Sequence, residues 1–210
     1  MIILMGGGTE AIIKPVQDTS SGVGVEKIKG IEAIKNNLQE KAAKKGTYIV
    51  QECITQNEQL AMLYSEAVNT FRVITYLWDG EVFHVPLALR IGQGAHAGGM
   101  FIGVNDLGEL NDEAFTEFGK RYKEHPDTHT VFKGYKLNFV PELIKTAKKL
   151  HLNAPQLGII SWDLTVDQNG VFVLIEANTR GQSIWFPQMA NGMGAFGKNT
   201  AEILKFIAQK

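Results

Sequence analysis

Apolar and polar positions alternate along the chain in two rhythms, one strand-like and one helical. Residues 11–16 form a short apolar stretch that reads as a strand, and residues 17–24 (QDTSSGVG) as a turn-rich loop. Residues 25–45 carry Ile28, Ile31, Ile34 and Leu38 at helical spacing with lysines opposite, which predicts one helix. Residues 47–54 are β-branched and strand-like, and 59–67 predict a short helix. Two apolar runs, 70–78 and 81–90, flank Asp79-Gly80, a strong hairpin signal. The glycine-rich 92–99 cannot be regular structure, and 100–105 predicts another strand. Residues 111–138 read as polar and irregular around an aromatic cluster of Phe132, Tyr135 and Phe139, followed by a helix over 140–150. A second hairpin runs 157–166, Asn169-Gly170, 171–177. The glycine-dotted 178–198 predicts a loop, and Asn199 opens a last helix to about 209, with Ile203, Leu204 and Ile207 on one stripe. The class is α+β, with two antiparallel sheet regions and helices packed on them.

Composition narrows the function classes. A chain of 210 residues that is 44% hydrophobic and 20% charged is globular, with room for one large domain or two small lobes. A net charge of −1 gives no basic field for nucleic acid. One cysteine, Cys53, excludes internal disulfides and a Cys-rich zinc site. No run approaches a membrane span, and residues 1–5 lack a basic leader, so the expectation is a cytoplasmic protein without membrane contact. The 22 glycines exceed the usual ~7% and cluster, as backbone brought close to a ligand would.

The second hairpin carries the sharpest chemistry. With Asn169-Gly170 as a two-residue turn, Asp163 lies opposite Glu176, their Cβ atoms ~5 Å apart, and Asn178 shares their face. The other face, with Trp162, Leu164, Val166, Val173, Ile175 and Ala177, reads as core. Two adjacent carboxylates need compensation, and an all-oxygen set suits Mg2+. The alternative is a solvated face with one carboxylate turned away, and a three-residue loop would shift the register and separate the pair. Lys14 precedes the small-residue loop Thr19-Ser20-Ser21-Gly22-Val23-Gly24, which suits phosphate oxygens but equally a plain strand–helix turn. Gln51-Glu52-Cys53 ends a strand where backbone can read an adenine edge, or where an ordinary loop begins; Cys53 reads as structural. Arg72 and Arg90 interrupt apolar strands, as anion-binding arginines or structural ion pairs do. An unbroken Asp79-Gly80 register puts them on opposite faces, so either a bulge corrects this or only one points into a site. His125 and His129, split by Pro126, read as surface loop; His96, inside the glycine loop, could touch a phosphate or a carboxylate, or only pack the loop.

These segments together resemble the ATP-grasp fold. The order is Ile13-Lys14-Pro15, Ser21-Gly22-Val23-Gly24-Val25, Val50-Gln51-Glu52-Cys53-Ile54, Asn69-Thr70-Phe71-Arg72-Val73, Leu89-Arg90-Ile91-Gly92, His96-Ala97-Gly98-Gly99, Trp162-Asp163-Leu164 and Ile175-Glu176-Ala177-Asn178. With Lys123-Glu124-His125-Pro126-Asp127-Thr128 and Phe132-Lys133-Gly134, it looks like the sugar-transfer-associated branch, related to α-L-glutamate ligases. The resemblance implies two α+β lobes holding ATP between them: a smaller one over 1–57 with the phosphate loop and adenine edge, and a larger one over 58–210 with metal and substrate. It implies that Lys14 and the Ser20, Ser21, Gly22, Gly24 loop hold phosphates. Gln51, Glu52 and Cys53 would meet the adenine, with Glu58 near the ribose. Asp163, Glu176 and Asn178 would hold Mg2+, and Arg72 and Arg90 the γ-phosphate or acyl-phosphate. The implied activity is an ATP-dependent carboxylate–amine ligase acting through an acyl-phosphate on small molecules, in polysaccharide, cell-surface or secondary-metabolite biosynthesis. A phosphotransferase and a non-catalytic nucleotide-binding fragment are the alternatives. Members usually carry a further N-terminal region with another nucleotide-contacting lysine; here the first lysine is Lys14, so that region is expected to be absent, or supplied by a partner or a second copy. After Asn178 stands Arg180-Gly181, where such ligases often have Pro-Gly.

Overall fold

The computed structural model describes residues 9–16, 24–44, 46–94 and 99–209. The chain divides into two compact units, residues 1–55 and 56–210. The boundary falls two residues earlier than the sequence suggests, because Gln56 and Asn57 bond into the larger unit. The Gln56 amide donates to the carbonyls of Tyr64 and Ala67, and Asn57 N–H to that of Val166.

In the smaller unit, β1 (Glu10–Pro15) lies between β2 (Glu26–Lys29) and β3 (Tyr48–Glu52), antiparallel to both. Helix α1 (Ile31–Ala43) packs Ile34 and Leu38 against Ala11 and Ile13. The helix is shorter than the periodicity predicts. Residues 26–29 (EKIK) alternate, and this short polar–apolar alternation satisfies a strand equally well; backbone pairing with β1 decides the matter. Gly30, with φ 96°, makes the corner, a conformation L side chains rarely adopt. Ile28 still reaches the core, from the strand, whereas Ile31 is exposed.

The larger unit is built on an eight-stranded antiparallel sheet. Its strands are β4 (Thr70–Trp78), β5 (Glu81–His84), β6 (Leu87–Ile91), β7 (Met100–Val104), β8 (Leu110–Thr116), β9 (Arg121–Tyr122), β10 (Ile159–Val166) and β11 (Phe172–Asn178). The order is β11-β10-β4-β6-β7-β8-β9, with β5 also on β4. Residues 111–122 are therefore not irregular: Asn111, Glu113 and other polar positions alternate with buried Leu110 and Ala114, a half-buried strand rather than a loop.

One sheet face is the core. Phe71, Val73, Leu87, Leu89, Ile91, Ile102, Trp162 and Leu164 meet α2 (Glu58–Ala61), α3 (Val140–Leu152) and the predicted aromatic cluster around fully buried Phe132. Buried polar groups there are paired: Trp162 Nε1–H donates to Thr75 Oγ1 (2.8 Å), Thr75 lies 2.6 Å from His151 Nδ1, and His151 Nε2 lies 2.8 Å from the Leu157 carbonyl. The opposite face is partly covered by α4 (Trp185–Asn191), which arises where the sequence suggested only loop. Helix α5 (Thr200–Ala208) buries Ile203 but leaves Leu204 and Ile207 exposed, so the expected apolar stripe is only partly used. Among the described residues, no helix is long and apolar enough to cross a membrane.

Candidate functional site

In the smaller unit, strand alternation sorts the candidates. Ala11 and Ile13 point under α1, which puts Glu10, Ile12 and Lys14 on the face away from the helix. Lys29 pairs with Glu10, and Lys27 and Gln51 with Ile12 on either side, so that face carries Glu10, Lys14, Lys27, Lys29 and Gln51. The Lys27 and Lys29 amines lie 3.1 and 3.3 Å from Glu10 and hold its carboxyl below the usual range. Glu52 pairs with Ala11 and is exposed on the other face. Cys53 is half-buried, and burial pushes its thiol up, which agrees with a structural rather than a nucleophilic cysteine. Gly24 has φ 79°, and a Cβ there would lie 3.0 Å from Pro15 Cγ, so Gly24 and Pro15 pass closely. Ser20, Ser21 and Gly22, like His96, lie outside the described residues. Glu58 belongs to the larger unit, as the exposed first residue of α2 behind an Asn57 cap.

In the larger unit, two irregularities build the site. The second hairpin does not turn through two residues: Asp167 N–H bonds the Val171 carbonyl, leaving a three-residue loop with Gly170 at φ 79°. That shift alone would separate the carboxylates, but the register slips back between Asp163 and Leu164, where Ile175 is the extra residue. Asp163 therefore does pair with Glu176, and Ser161 with Asn178. The correction falls on the apolar face: Val173 pairs with Thr165, and Leu174 and Ala177 are exposed on this edge strand.

The first hairpin shows the same device. Thr75 pairs with His84 in the expected register, but beyond Val85-Pro86 the pairing is Arg72 with Ala88 and Thr70 with Arg90. This one-residue slip brings Arg90 onto the face of Arg72. Because Asp163 pairs with Arg72 across β4 and β10, Arg72, Arg90, Asp163, Glu176 and Asn178 all share one face.

The geometry there is charged and partly dry. Arg72 Nε lies 2.8 Å from Asp163 Oδ1, and Nη2 donates to Oδ2 at 3.3 Å, with the side chains 15% and 17% exposed. Nη1 donates to Ser161 Oγ at 3.1 Å, and the guanidinium sits 5.5 Å from the Phe186 ring centroid. The expected compensation for the carboxylate pair was a divalent cation; the guanidinium supplies it for Asp163. Glu176 and Arg90 are exposed. Among the described residues, no three His, Cys, Asp or Glu side chains gather as a metal cage. Two carboxylates and an amide nonetheless share one face on neighbouring strand positions, and oxygen donors are what Mg2+ accepts.

Several residues around the site escaped the sequence reading. Ser161 was detectable, two positions from Asp163 and hence on its face. Phe186 was not, since nothing marked its segment as a helix. His125 was misplaced: it is fully buried, its Nε2 2.7 Å from the Gly92 carbonyl and its Nδ1 accepting from Asp127 and Thr128 N–H. Buried Asn69 accepts from Gly92 N–H, so both residues tie down the backbone just after β6. Further along the same face, a groove of about 490 Å³ runs between β8–β9 and the end of α4, lined by Asn111, Glu113, Phe115, Arg121 and Met189.

Known proteins share this fold. A model of the sugar-transfer associated ATP-grasp family matches residues 2–203. Among solved structures, D-alanyl-alanine synthetase A from Vibrio cholerae O1 biovar eltor aligns with TM-score 0.51 and 16% identity, over 92% of this chain and 51% of that one. The ADP complex of N5-carboxyaminoimidazole ribonucleotide synthetase aligns with TM-score 0.50 and 14% identity, over 83% of this chain and 35% of that one. The chain thus spans about a third to a half of these proteins, with which it shares a fold. No curated protein matches it.

Proposed function

Because the chain belongs to the sugar-transfer associated ATP-grasp family, we propose that it binds ATP with Mg2+ and activates a small-molecule carboxylate for attack by an amine. The observation that carries this reading is the single face shared by Arg72, Arg90, Asp163, Glu176 and Asn178. In this reading Lys14, Gly24 and the Ser20, Ser21, Gly22 segment take the phosphates. Gln51, Glu52 and Cys53 take the adenine edge, and Glu58 the ribose. Lys27 and Lys29 lie on the Lys14 face, where Glu10 offsets one of their two charges. Asp163, Glu176 and Asn178 would hold the metal, which when bound neutralises phosphate charge.

The chemistry needs positioning and charge stabilisation more than a protein nucleophile. A carboxylate oxygen of the substrate attacks the γ-phosphorus, and the bond to the β-phosphate oxygen breaks to release ADP. Arg72 and Arg90 would meet the oxygens on which negative charge is spread. The amine then attacks the acyl carbon, phosphate leaves, and the amine loses a proton. The groove beside β8 and β9 is the candidate seat for an acceptor, its Phe115 ring and Arg121–Glu113 pair offering an apolar wall and both charges.

Calorimetry with ATP, with Mg2+ and again with chelator, tests the binding half: affinity should rise with Mg2+, and equal affinity in chelator would sink the metal assignment. Product analysis tests the chemistry. A ligase releases ADP and free phosphate only with carboxylate and amine both present. ADP with a phosphorylated alcohol would identify a phosphotransferase instead.

A further inference from the structure

Asp163 is asked to do two things that compete with one another. As a metal ligand it must offer a lone pair to a cation. In the structure both of its oxygens face one guanidinium, Oδ1 at 2.8 Å from Nε and Oδ2 at 3.3 Å from Nη2. Nη2–Oδ2 is a hydrogen bond and Nε–Oδ1 an ion-pair contact without hydrogen-bond geometry; the guanidinium charge beside both oxygens nonetheless opposes a second cation, and Arg72 cannot step aside by losing its proton. The guanidinium is also held from behind. Ser161 accepts from Nη1, and the Phe186 ring lies under the guanidinium. Ser161 is fully buried, so this clamp belongs to the sheet rather than to a waving surface side chain.

We propose that Arg72 is a stand-in cation for the metal site. It holds Asp163 while no metal is bound and is displaced when the metal arrives, so that metal loading releases an arginine. The inference rests on the metal reading above and adds an order of events to it. Before loading, the paired carboxylates of Asp163 and Glu176 carry one compensating charge instead of repelling each other across the strands. A divalent ion supplies the compensation anew, and repulsion between like charges drives the guanidinium off. Arg72 then joins Arg90 on the same face, and the donors that faced Asp163 can serve an anion. Metal and anionic substrate are thereby coupled: each favours the state with Asp163 and Arg72 apart.

The test is metal affinity rather than turnover. Mn2+ is titrated into wild type, Arg72→Gln and Arg90→Gln, with and without ADP, and the free ion is counted by electron paramagnetic resonance. Removing the competitor should tighten Mn2+ binding by about tenfold in Arg72→Gln. Arg90→Gln removes the same charge from the same face without touching Asp163, and should change affinity by no more than about threefold, as screened charges do. In wild type, the Arg72 Nε–H resonance should leave its ion-paired position in step with Mg2+ saturation. That measurement decides the matter even if Arg72→Gln folds poorly. Equal tightening in the two variants, or an Arg72 resonance unmoved at Mg2+ saturation, overturns the competition while leaving the metal site standing. Absence of Mn2+ binding from all three proteins, ADP included, overturns the metal reading and this inference with it.

Discussion

The two units place their charged faces by different means. In the smaller one, β1 pairs with β2 and with β3 without a slip, and simple alternation from Glu10 to Lys14 decides what faces away from α1. In the larger one, both hairpins that build the site lose step by one residue, at Val85-Pro86 and at Ile175. A slip of one residue moves every later side chain to the other face. The lysine face thus follows from the regular ladder, and the arginine–carboxylate face from two departures from it. Irregular strands put their extra residues where a side chain has to be re-aimed.

The comparison breaks most visibly at Glu176. Glu176→Gln keeps size and hydrogen bonding but removes the charge opposite Asp163, and ADP release should fall on the order of 100-fold or more. Its melting should stay within about 0.5 kcal/mol of wild type, since Glu176 is exposed and Arg72 already compensates Asp163. Asp163→Asn should differ by losing turnover and roughly 2 kcal/mol of stability together, because a partly buried guanidinium loses its counter-charge. Equal melting of the two variants would mean that the ion pair carries no weight in the fold.

On the regular ladder the matching test is Lys14→Ala, expected to weaken ATP binding about tenfold, the size of one lost charge-assisted hydrogen bond. His129→Ala is the control, an exposed residue whose ring lies 3.4 Å from the Glu124 carboxylate. His125 does not serve as one, since its substitution would empty a buried position and free the Gly92 carbonyl. Unchanged affinity in Lys14→Ala would take the phosphates away from the lysine face.

What was legible follows the same division. Strand existence, the Asp79-Gly80 turn and the Asp163–Glu176 pairing could be read, because periodicity and turn chemistry are local. The pairing was read through a turn one residue too short, and Ile175 restored it; no local signal marks an edge-strand bulge in an apolar run. The faces of Arg72 and Arg90 stayed open for the same reason, although Pro86, lacking an N–H, was a visible place for a slip. Helix α4 was missed because Gly181, Gly192 and Gly194 bracket only seven helical residues, which depend on the sheet for stability. His125 was misjudged because polar sequence around it says nothing about a ring buried against Tyr64.

The turn of the second hairpin gives a smaller effect that sharpens the contrast. Gly170 has φ 79° with nothing within 4 Å of a Cβ, so Gly170→Ala adds backbone strain and no clash. It should cost about 1 kcal/mol, read as a lowered melting temperature. Deleting Gln168 instead leaves Asn169-Gly170 as a two-residue turn between Asp167 and Val171, and should leave the Asp163–Glu176 pairing and ADP release intact. Loss of turnover in the deletion would show that the three-residue loop, and not the bulge alone, sets the register.

The smallest expected effect lies in the regular unit, at Glu26. Its carboxylate accepts from Asn37 (2.8 Å) and from Lys41 (2.6 Å), tying β2 to α1, and these bonds, Lys41 first, hold its carboxyl below the ordinary 4.5. A carboxyl that is more acidic in the folded chain than in the unfolded one stabilises the fold above its unfolded pKa. That contribution fades as the pH falls through the folded value. Glu26 is 43% exposed, so solvent screening limits the pair to a few tenths of a kcal/mol at neutral pH. Glu26→Gln should therefore melt slightly below wild type at pH 7. The gap should shrink as the pH drops below about 4.5 and the wild-type carboxylate takes up its proton. High salt at pH 7 should shrink it as well. Melts at several pH values, with and without salt, follow both trends. A gap that widened toward acid would mean that the Glu26 carboxyl is bonded better protonated than charged, and that β2 and α1 are joined by something other than this pair.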